Sequence, residues 1–86
     1  MTCYASHYVY VPGRGFLKQW GVEVADGHVV RTFQLTEERE GVDWHPGVIV
    51  LVPDVTRPDA LIPYLYYPFD FSRMQPAVGT RRRRLL

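Results

Sequence analysis

The stretch that most clearly predicts the fold is VEVADGHVVRTF, residues 22–33. Asp26-Gly27 lies at its centre, and such a pair readily supplies the positive φ values that a tight hairpin turn needs. The residues on either side are rich in valine, and β-branched side chains suit strands. We therefore predict a β-hairpin, with one strand over residues 16–24 and the next over residues 28–35.

More strands are predicted on both sides of this hairpin. Residues 4–11 alternate with a period of two, which is typical of a strand, and Pro12-Gly13 then turns the chain. Residues 48–52 read VIVLV, a continuous apolar run that predicts a central strand buried on both faces. The polar residues 36–41 are compatible either with one helical turn capped by Thr36 or with a solvated loop.

The C-terminal third has a different character, because prolines recur every five residues from Pro53 to Pro68. Proline removes a backbone donor and disfavours the interior of sheets. We therefore predict a Pro-rich strap over residues 53–75 that lies on the sheet, with residues 64–67 as a short edge strand. The predicted organisation is one domain, with a β-sheet core at residues 1–52, this strap, and a basic tail at residues 76–86.

The predicted fold class is all-β, as a small sandwich or partly open roll of four to five strands with the strap at its C-terminal end. The expected buried set is Val9, Trp20, Val22, Val24, Val29, Phe33, Val48, Val50 and Val52.

Composition narrows the class of protein. The chain has 86 residues, which suffices for one core, and 47% of them are hydrophobic, which argues against general disorder. It has no apolar run of membrane-spanning length and no signal-peptide pattern. Cys3 is its one cysteine, so a reducing cytoplasm is the simplest location. Without the arginines at 81–84, acidic residues outnumber basic ones.

Two segments together resemble a known family. GVEVADGHVV at residues 21–30, followed by WHPGVI at residues 44–49, is similar to the N-terminal β domain of the amidohydrolase, or metal-dependent hydrolase, superfamily. In that family a Gly-Val-x-Val-x-Asp-Gly hairpin precedes a Pro-Gly-Leu-Ile-Asp segment, which leads into a His-x-His metal site and a catalytic barrel. The similarity covers about residues 5–52.

The chain departs from this family at the metal site. The acid position holds Val50, and the two histidine positions hold Val52 and Asp54. Valine cannot ligate a metal, and the residues that follow are too few for an eight-stranded barrel of about 200 residues or more. The resemblance thus implies the accessory β domain of the family without its catalytic barrel.

Candidate catalytic and metal sites are sparse. Asp43 and His45 have strand spacing, which puts both side chains on one face, but a zinc site needs three or four converging ligands. We therefore regard these two as weak metal candidates. We expect no catalytic residue, no bound metal and no cofactor, which favours a protein that is not an enzyme.

Aromatic side chains are the most distinctive feature of the C-terminal third. Tyrosine and phenylalanine are enriched at interfaces, and the flanking prolines would stiffen the segment. The predicted contact surface for a protein partner or for a second copy in a homodimer consists of Tyr64, Tyr66, Tyr67, Phe69 and Phe71. The alternative is that these residues cover the sheet and complete its core.

The arginine run suggests a further contact. Arg81, Arg82, Arg83 and Arg84 are candidates for binding anions such as phosphates or an acidic lipid surface. The rest of the chain supplies no basic face, which argues against nucleic acid as the main partner. A flexible solubilising end is the alternative.

The function expected from these features is that of a non-catalytic β module for protein interaction or self-association. One alternative is a subunit of a metal-dependent hydrolase that acts with a separate barrel chain. The other is a weak binder of nucleic acid or of an anionic surface through the arginine run.

Overall fold

The computed structural model describes residues 1–36 and 40–85, which form nine strands and no helix. The strands are β1 (Thr2–Ala5), β2 (Tyr8–Val11), β3 (Gly15–Lys18), β4 (Trp20–Ala25), β5 (His28–Gln34), β6 (Val42–Trp44), β7 (Val48–Asp54), β8 (Arg57–Asp70) and β9 (Gln75–Arg84). The predicted all-β class is confirmed, although four to five strands was too low a number. Residues 36–41 were predicted as a helical turn or a loop; residues 37–39 of that segment lie outside the described residues.

The strands form two sheets. One has four strands in the order β5-β4-β1-β6, and the other has five in the order β3-β2-β7-β8-β9. The pairs β1/β6 and β2/β7 are parallel, and the remaining pairs are antiparallel. Within the described part of the chain, no helix is long and apolar enough to cross a bilayer.

Two of the predicted strands are each divided between the sheets. Residues 4–11 bend at Ser6 and His7, so that β1 lies in one sheet and β2 in the other. Residues 16–24 bend in the same way at Gln19, where φ is 57°. The chain changes sheets a third time between β6 and β7. Strands that switch sheets at a bend are a general way of building the corner of a sandwich or roll.

The predicted hairpin is confirmed as β4 and β5. Ala25 pairs with His28 across a two-residue turn. Asp26 and Gly27 have φ values of 53° and 77°, as a type I′ turn requires.

The core lies between the two sheets. Its buried members are Val9, Val22, Val24, Ile49, Leu51, Leu65 and Leu85. Of the expected buried set, Phe33 and Val48 are also buried. The other four members, Trp20, Val29, Val50 and Val52, are only half-buried. Each apolar side chain removed from water contributes about 1.5–3 kcal/mol, so this cluster supplies much of the stability.

The predicted strap is instead an interior strand. β8 pairs with β7 on one side and with β9 on the other, so residues 64–67 are not a short edge strand. Pro63 is buried opposite Leu51, and its carbonyl accepts a hydrogen bond from the Leu85 N–H at 2.9 Å. A residue's N–H and C=O point to the same side of a strand, so the donor that Pro63 lacks would have pointed towards β9. The hydrogen bonds between β7 and β8 therefore do not depend on it.

The predicted basic tail is also a strand. Residues 75–84 form β9, the edge of the five-stranded sheet, and Leu85 is buried in the core. The arginine run is therefore not a free, flexible end. Sequence alone could not show this, because the stabilising partner of β9 is β8, a segment whose prolines argued against a strand.

Valine-to-alanine substitutions should separate the core from the surface. Val22 is fully buried, whereas Val55 is 94% exposed. We expect Val22→Ala to lower the free energy of unfolding by roughly 2 kcal/mol, because it removes buried methyl groups and leaves a cavity. Val55→Ala should change it by less than about 0.5 kcal/mol. Urea unfolding of both variants measures the difference, and equal losses would contradict the observed core.

Candidate interaction surface

The five-stranded sheet has a second apolar face, on the side away from the core, which we call the outer face. Side chains alternate along each strand, so the neighbours of the core residues Val9, Ile49 and Leu65 point to this side. Strand register aligns them in two cross-strand rows. Row one is Lys18, Tyr8, Val48, Tyr66 and Arg82, and row two is Phe16, Tyr10, Val50, Tyr64 and Arg84.

The outer face is aromatic in the middle and cationic at both margins. Lys18 stands at the β3 margin and Arg82 at the β9 margin, and neither row contains a carboxylate. The Arg82 guanidinium lies 4.6 Å from the centre of the Tyr64 ring, a cation–π distance. A hydrogen bond with Tyr66 raises the pKa of Arg82 above its ordinary value. The two tyrosines thus hold the guanidinium, which is charged at any physiological pH, against the outer face.

The tip of the β8–β9 hairpin arches over one end of the outer face. The Phe71 ring stacks on Tyr8 at 5.8 Å with an interplanar angle of 29°, and Phe69 lies 6.1 Å from Phe16. Phe71 thus covers row one, where Val48 is fully buried, while Phe69 lies beside the Phe16 end of row two, where Phe16 stays 37% exposed and Val50 is half-buried. Row two is therefore the more accessible part of this face.

The predicted contact residues are thus distributed over three places. Tyr64 and Tyr66 lie on the outer face, whereas Tyr67, 53% exposed, lies on the opposite side of β8. A register shift between Tyr67 and Phe69 then redirects the chain, so that Phe69 and Phe71 cover the sheet. The alternative from the sequence, that the aromatic residues cover the sheet, describes these two phenylalanines.

Sequence reasoning missed the other half of this face. Tyr8, Tyr10 and Phe16 were assigned to strands but not to a surface. A usable signal was present, because Tyr8 and Tyr10 alternate with Val9 and Val11, so both faces of β2 are apolar. Only the pairing of β2 with β7 shows that these tyrosines share a face with Tyr64.

A groove of about 640 Å³ lies at the corner where strands change sheets. The His7 ring stands between Trp44 and Phe71, at centroid distances of 4.8 and 5.0 Å. The Gly47 N–H lies 3.2 Å from His7 Nδ1. A backbone N–H can only donate, so Nδ1 is the acceptor and the proton of the neutral ring is on Nε2. His7 therefore connects the β1–β2 bend to the β6–β7 bend.

The weak metal candidates remain an isolated pair. Asp43 is exposed on β6 opposite Tyr4, and the His45 ring lies 5.9 Å from the Tyr4 ring. In residues 1–36 and 40–85, no group of three or more His, Cys, Asp or Glu side chains is placed to hold a metal ion.

A charged contact that the sequence did not suggest joins the two sheets away from this corner. His28 Nε2 lies 2.7 Å from Asp54 Oδ2, although the residues are 26 positions apart. The Asp54 carboxylate also accepts hydrogen bonds from the Thr56 N–H and hydroxyl at 2.9 and 2.8 Å. The bond with His28, with Thr56 adding to it, holds the pKa of Asp54 well below its usual range. This pair ties the β4–β5 turn to the β7–β8 turn.

The pair predicts a pH-dependent contribution to stability. Because the folded pKa of Asp54 lies below the unfolded value of about 3.9, its stabilisation is present above that pH and is lost as pH falls. We expect Asp54→Asn to lower the Tm at pH 6, and the gap from the unmodified chain to narrow at pH 3. The exposed Asp59, whose side chain makes no hydrogen bond or ion pair with a described residue, provides the control Asp59→Asn. A gap that stays constant with pH for Asp54→Asn would contradict the role of the pair.

No protein family, no curated protein and no solved structure matches this chain.

Proposed function

We propose that this chain is a non-catalytic protein-binding module, and that the outer face of its five-stranded sheet is the contact surface. The observation that carries the proposal is row two, in which Phe16, Tyr10, Val50 and Tyr64 form a half-exposed apolar strip across four strands. Tyrosine and arginine are the residues that most often dominate binding energy at interfaces. Arg82 adds an oriented cation at the margin of this strip.

The charge at the margins indicates the chemistry of the partner. Lys18 and Arg82 bound the face on opposite sides. Two copies joined through this face would bring cations against cations in either orientation, which disfavours a homodimer here. A different protein, with an apolar patch bordered by carboxylates, fits the face.

A second candidate narrows the identity of that partner to the barrel chain of a metal-dependent hydrolase. Two features support it. The two segments that carry the resemblance are a two-residue hairpin closed by Asp26-Gly27, and Pro46-Gly47 leading directly into β7. Since Val50 and Val52 carry no ligating atoms, the metal site in such a complex would belong to the barrel chain.

Photo-crosslinking tests the location of the contact. We expect p-benzoylphenylalanine in place of Tyr64 to crosslink one defined protein in a lysate of the source organism. The same group in place of Val30 should not crosslink it, because Val30 is 54% exposed on β5, in the other sheet. The crosslinked protein is identified by mass spectrometry and purified. A barrel chain without its own β domain would support the second candidate, and any other protein would contradict it.

Titration with the purified partner then tests the energetics. We expect Tyr10→Ser with Tyr64→Ser to weaken binding at least about tenfold, since a buried tyrosine contributes on the order of 2 kcal/mol at an interface. Val30→Ser is the control, because it removes an exposed apolar side chain from β5, in the four-stranded sheet and away from both proposed contacts. Equal losses in the two variants would overturn the outer-face assignment. Circular dichroism confirms that both variants remain folded.

A further inference from the structure

β9 has an unpaired backbone edge whose orientation can be deduced. The Leu85 N–H donates to the Pro63 carbonyl. Because N–H and C=O groups change sides at every residue of a strand, those of Leu85, Arg83 and Arg81 point towards β8. The N–H and C=O groups of Arg82 and Arg84 therefore point away from the sheet. In the described part of the chain no other strand pairs with this edge.

Arginine side chains beside this edge are not all engaged. Arg82 is held by Tyr64 and Tyr66, and the Arg84 guanidinium donates to the Gly27 carbonyl at 3.2 Å. Arg81 and Arg83 lie on the other side of β9 and make no ion pair or hydrogen bond through their side chains to any described residue. Two exposed guanidinium groups at alternate positions are thus available to an anion.

These two arginines border a groove of about 430 Å³. Its other walls include Leu65, Tyr67 and the His45-Pro46 segment that leads towards β7. None of the described residues that line this groove carries a carboxylate. It therefore combines apolar walls with an unneutralised positive charge, next to free backbone donors and acceptors.

The same charge discriminates between possible occupants. A second copy of this chain pairing through β9 would place arginine against arginine, and like charges directly opposite each other destabilise a sheet. An acidic chain in the same position would place carboxylates opposite the arginines, which is favourable. Nucleic acid phosphates would also be attracted and could accept from the N–H groups of Arg82 and Arg84, but they cannot donate to the carbonyl groups of these residues. The combination of edge and charge favours an extended acidic polypeptide.

We propose that β9 accepts an extended acidic segment of a partner protein as an added strand, with carboxylates at alternate positions facing Arg81 and Arg83. Backbone hydrogen bonds to Arg82 and Arg84 would provide the affinity common to such strand addition. Charge-assisted pairs with Arg81 and Arg83 would provide the sequence preference. This inference rests on the proposed role as a protein-binding module and assigns it a second contact, separate from the outer face.

A labelled peptide tests the proposal directly. The probe is fluorescein-labelled Ser-Thr-Glu-Val-Glu-Val-Glu-Thr-Ser, with binding followed by fluorescence anisotropy at physiological salt. We expect saturable binding, and at least about tenfold weaker binding of Ser-Thr-Glu-Glu-Val-Val-Glu-Thr-Ser, which has the same composition and charge but no two glutamates two positions apart. Equal affinity for the two peptides would overturn the proposed register.

Substitutions in the protein test the arginines. We expect Arg81→Gln with Arg83→Gln to weaken peptide binding at least about tenfold. Arg57→Gln with Arg73→Gln removes the same charge from two exposed positions outside the run, and should leave binding within about twofold. Retained binding in the first variant, or equal loss in both, would overturn the proposal. Tyr10→Ser with Tyr64→Ser should still bind the peptide, so failure of the outer-face contact and failure of the β9 contact can be told apart.

Methylated peptides test the backbone contact. An added strand directs the N–H groups of alternate residues towards β9 and those of the intervening residues away from it. We expect N-methylation of one alternate set to abolish binding and methylation of the other set to preserve it. Equal effects of the two sets would show that no strand is added. A 20-nucleotide oligothymidylate that binds more tightly than the peptide, and with the same dependence on Arg81 and Arg83, would identify a phosphate site instead.

Discussion

The corner at which the chain passes between its sheets is the constraint on which the rest of the structure depends. The Gln19 N–H donates to the His7 carbonyl and the His45 N–H to the Ala5 carbonyl, both at 2.9 Å. These bonds satisfy backbone groups that would otherwise be unpaired where the sheet ladders end. Ser6 is buried at this corner, and its hydroxyl donates to the Tyr8 carbonyl at 2.5 Å. Hydrogen bonds thus connect the bend at Gln19 to the bend at His7, and the segment between β6 and β7 to the end of β1.

This corner determines which side chains face the core. Once the chain has bent at Ser6 and His7, Val9 points between the sheets, while Tyr8 and Tyr10 point to the outer face. The five-stranded sheet then has apolar residues on both sides, but the four-stranded sheet covers only one of them. A domain of this size buries a modest fraction of its surface, so an additional apolar face is a considerable area to leave to a partner. The arch of Phe69 and Phe71 covers part of it, and the middle of row two stays half-exposed.

Positive charges border both the apolar outer face and the unpaired edge of β9, and they limit how these surfaces can associate. Arg82 and Lys18 border the outer face, and the arginine run occupies the exposed edge strand. Edge strands commonly carry positive side chains, which prevent uncontrolled pairing between copies. In the proposed function the same side chains also specify a complementary partner, because Arg81 and Arg83 meet no carboxylate among the described residues. The His28–Asp54 pair has a different role from these arginines. Its two side chains bind each other, and the contact holds the two sheets together.

The sequence by itself determined the class of fold, the Asp26-Gly27 hairpin and the central position of residues 48–52. These follow from local signals, namely a period of two, a turn dipeptide with positive φ, and a continuous apolar run. Only the tertiary structure decided that residues 4–11 divide between two sheets, that β8 is an interior strand, that Tyr64 and Tyr67 lie on opposite sides, and that His28 meets Asp54. The alternation of residues 4–11 gives no sign of the bend between β1 and β2. Within one strand it indicates which residues share a face, but it does not indicate which strands are neighbours. Pairing between distant strands is set by the whole set of hydrogen bonds and buried contacts, and no single segment carries that information.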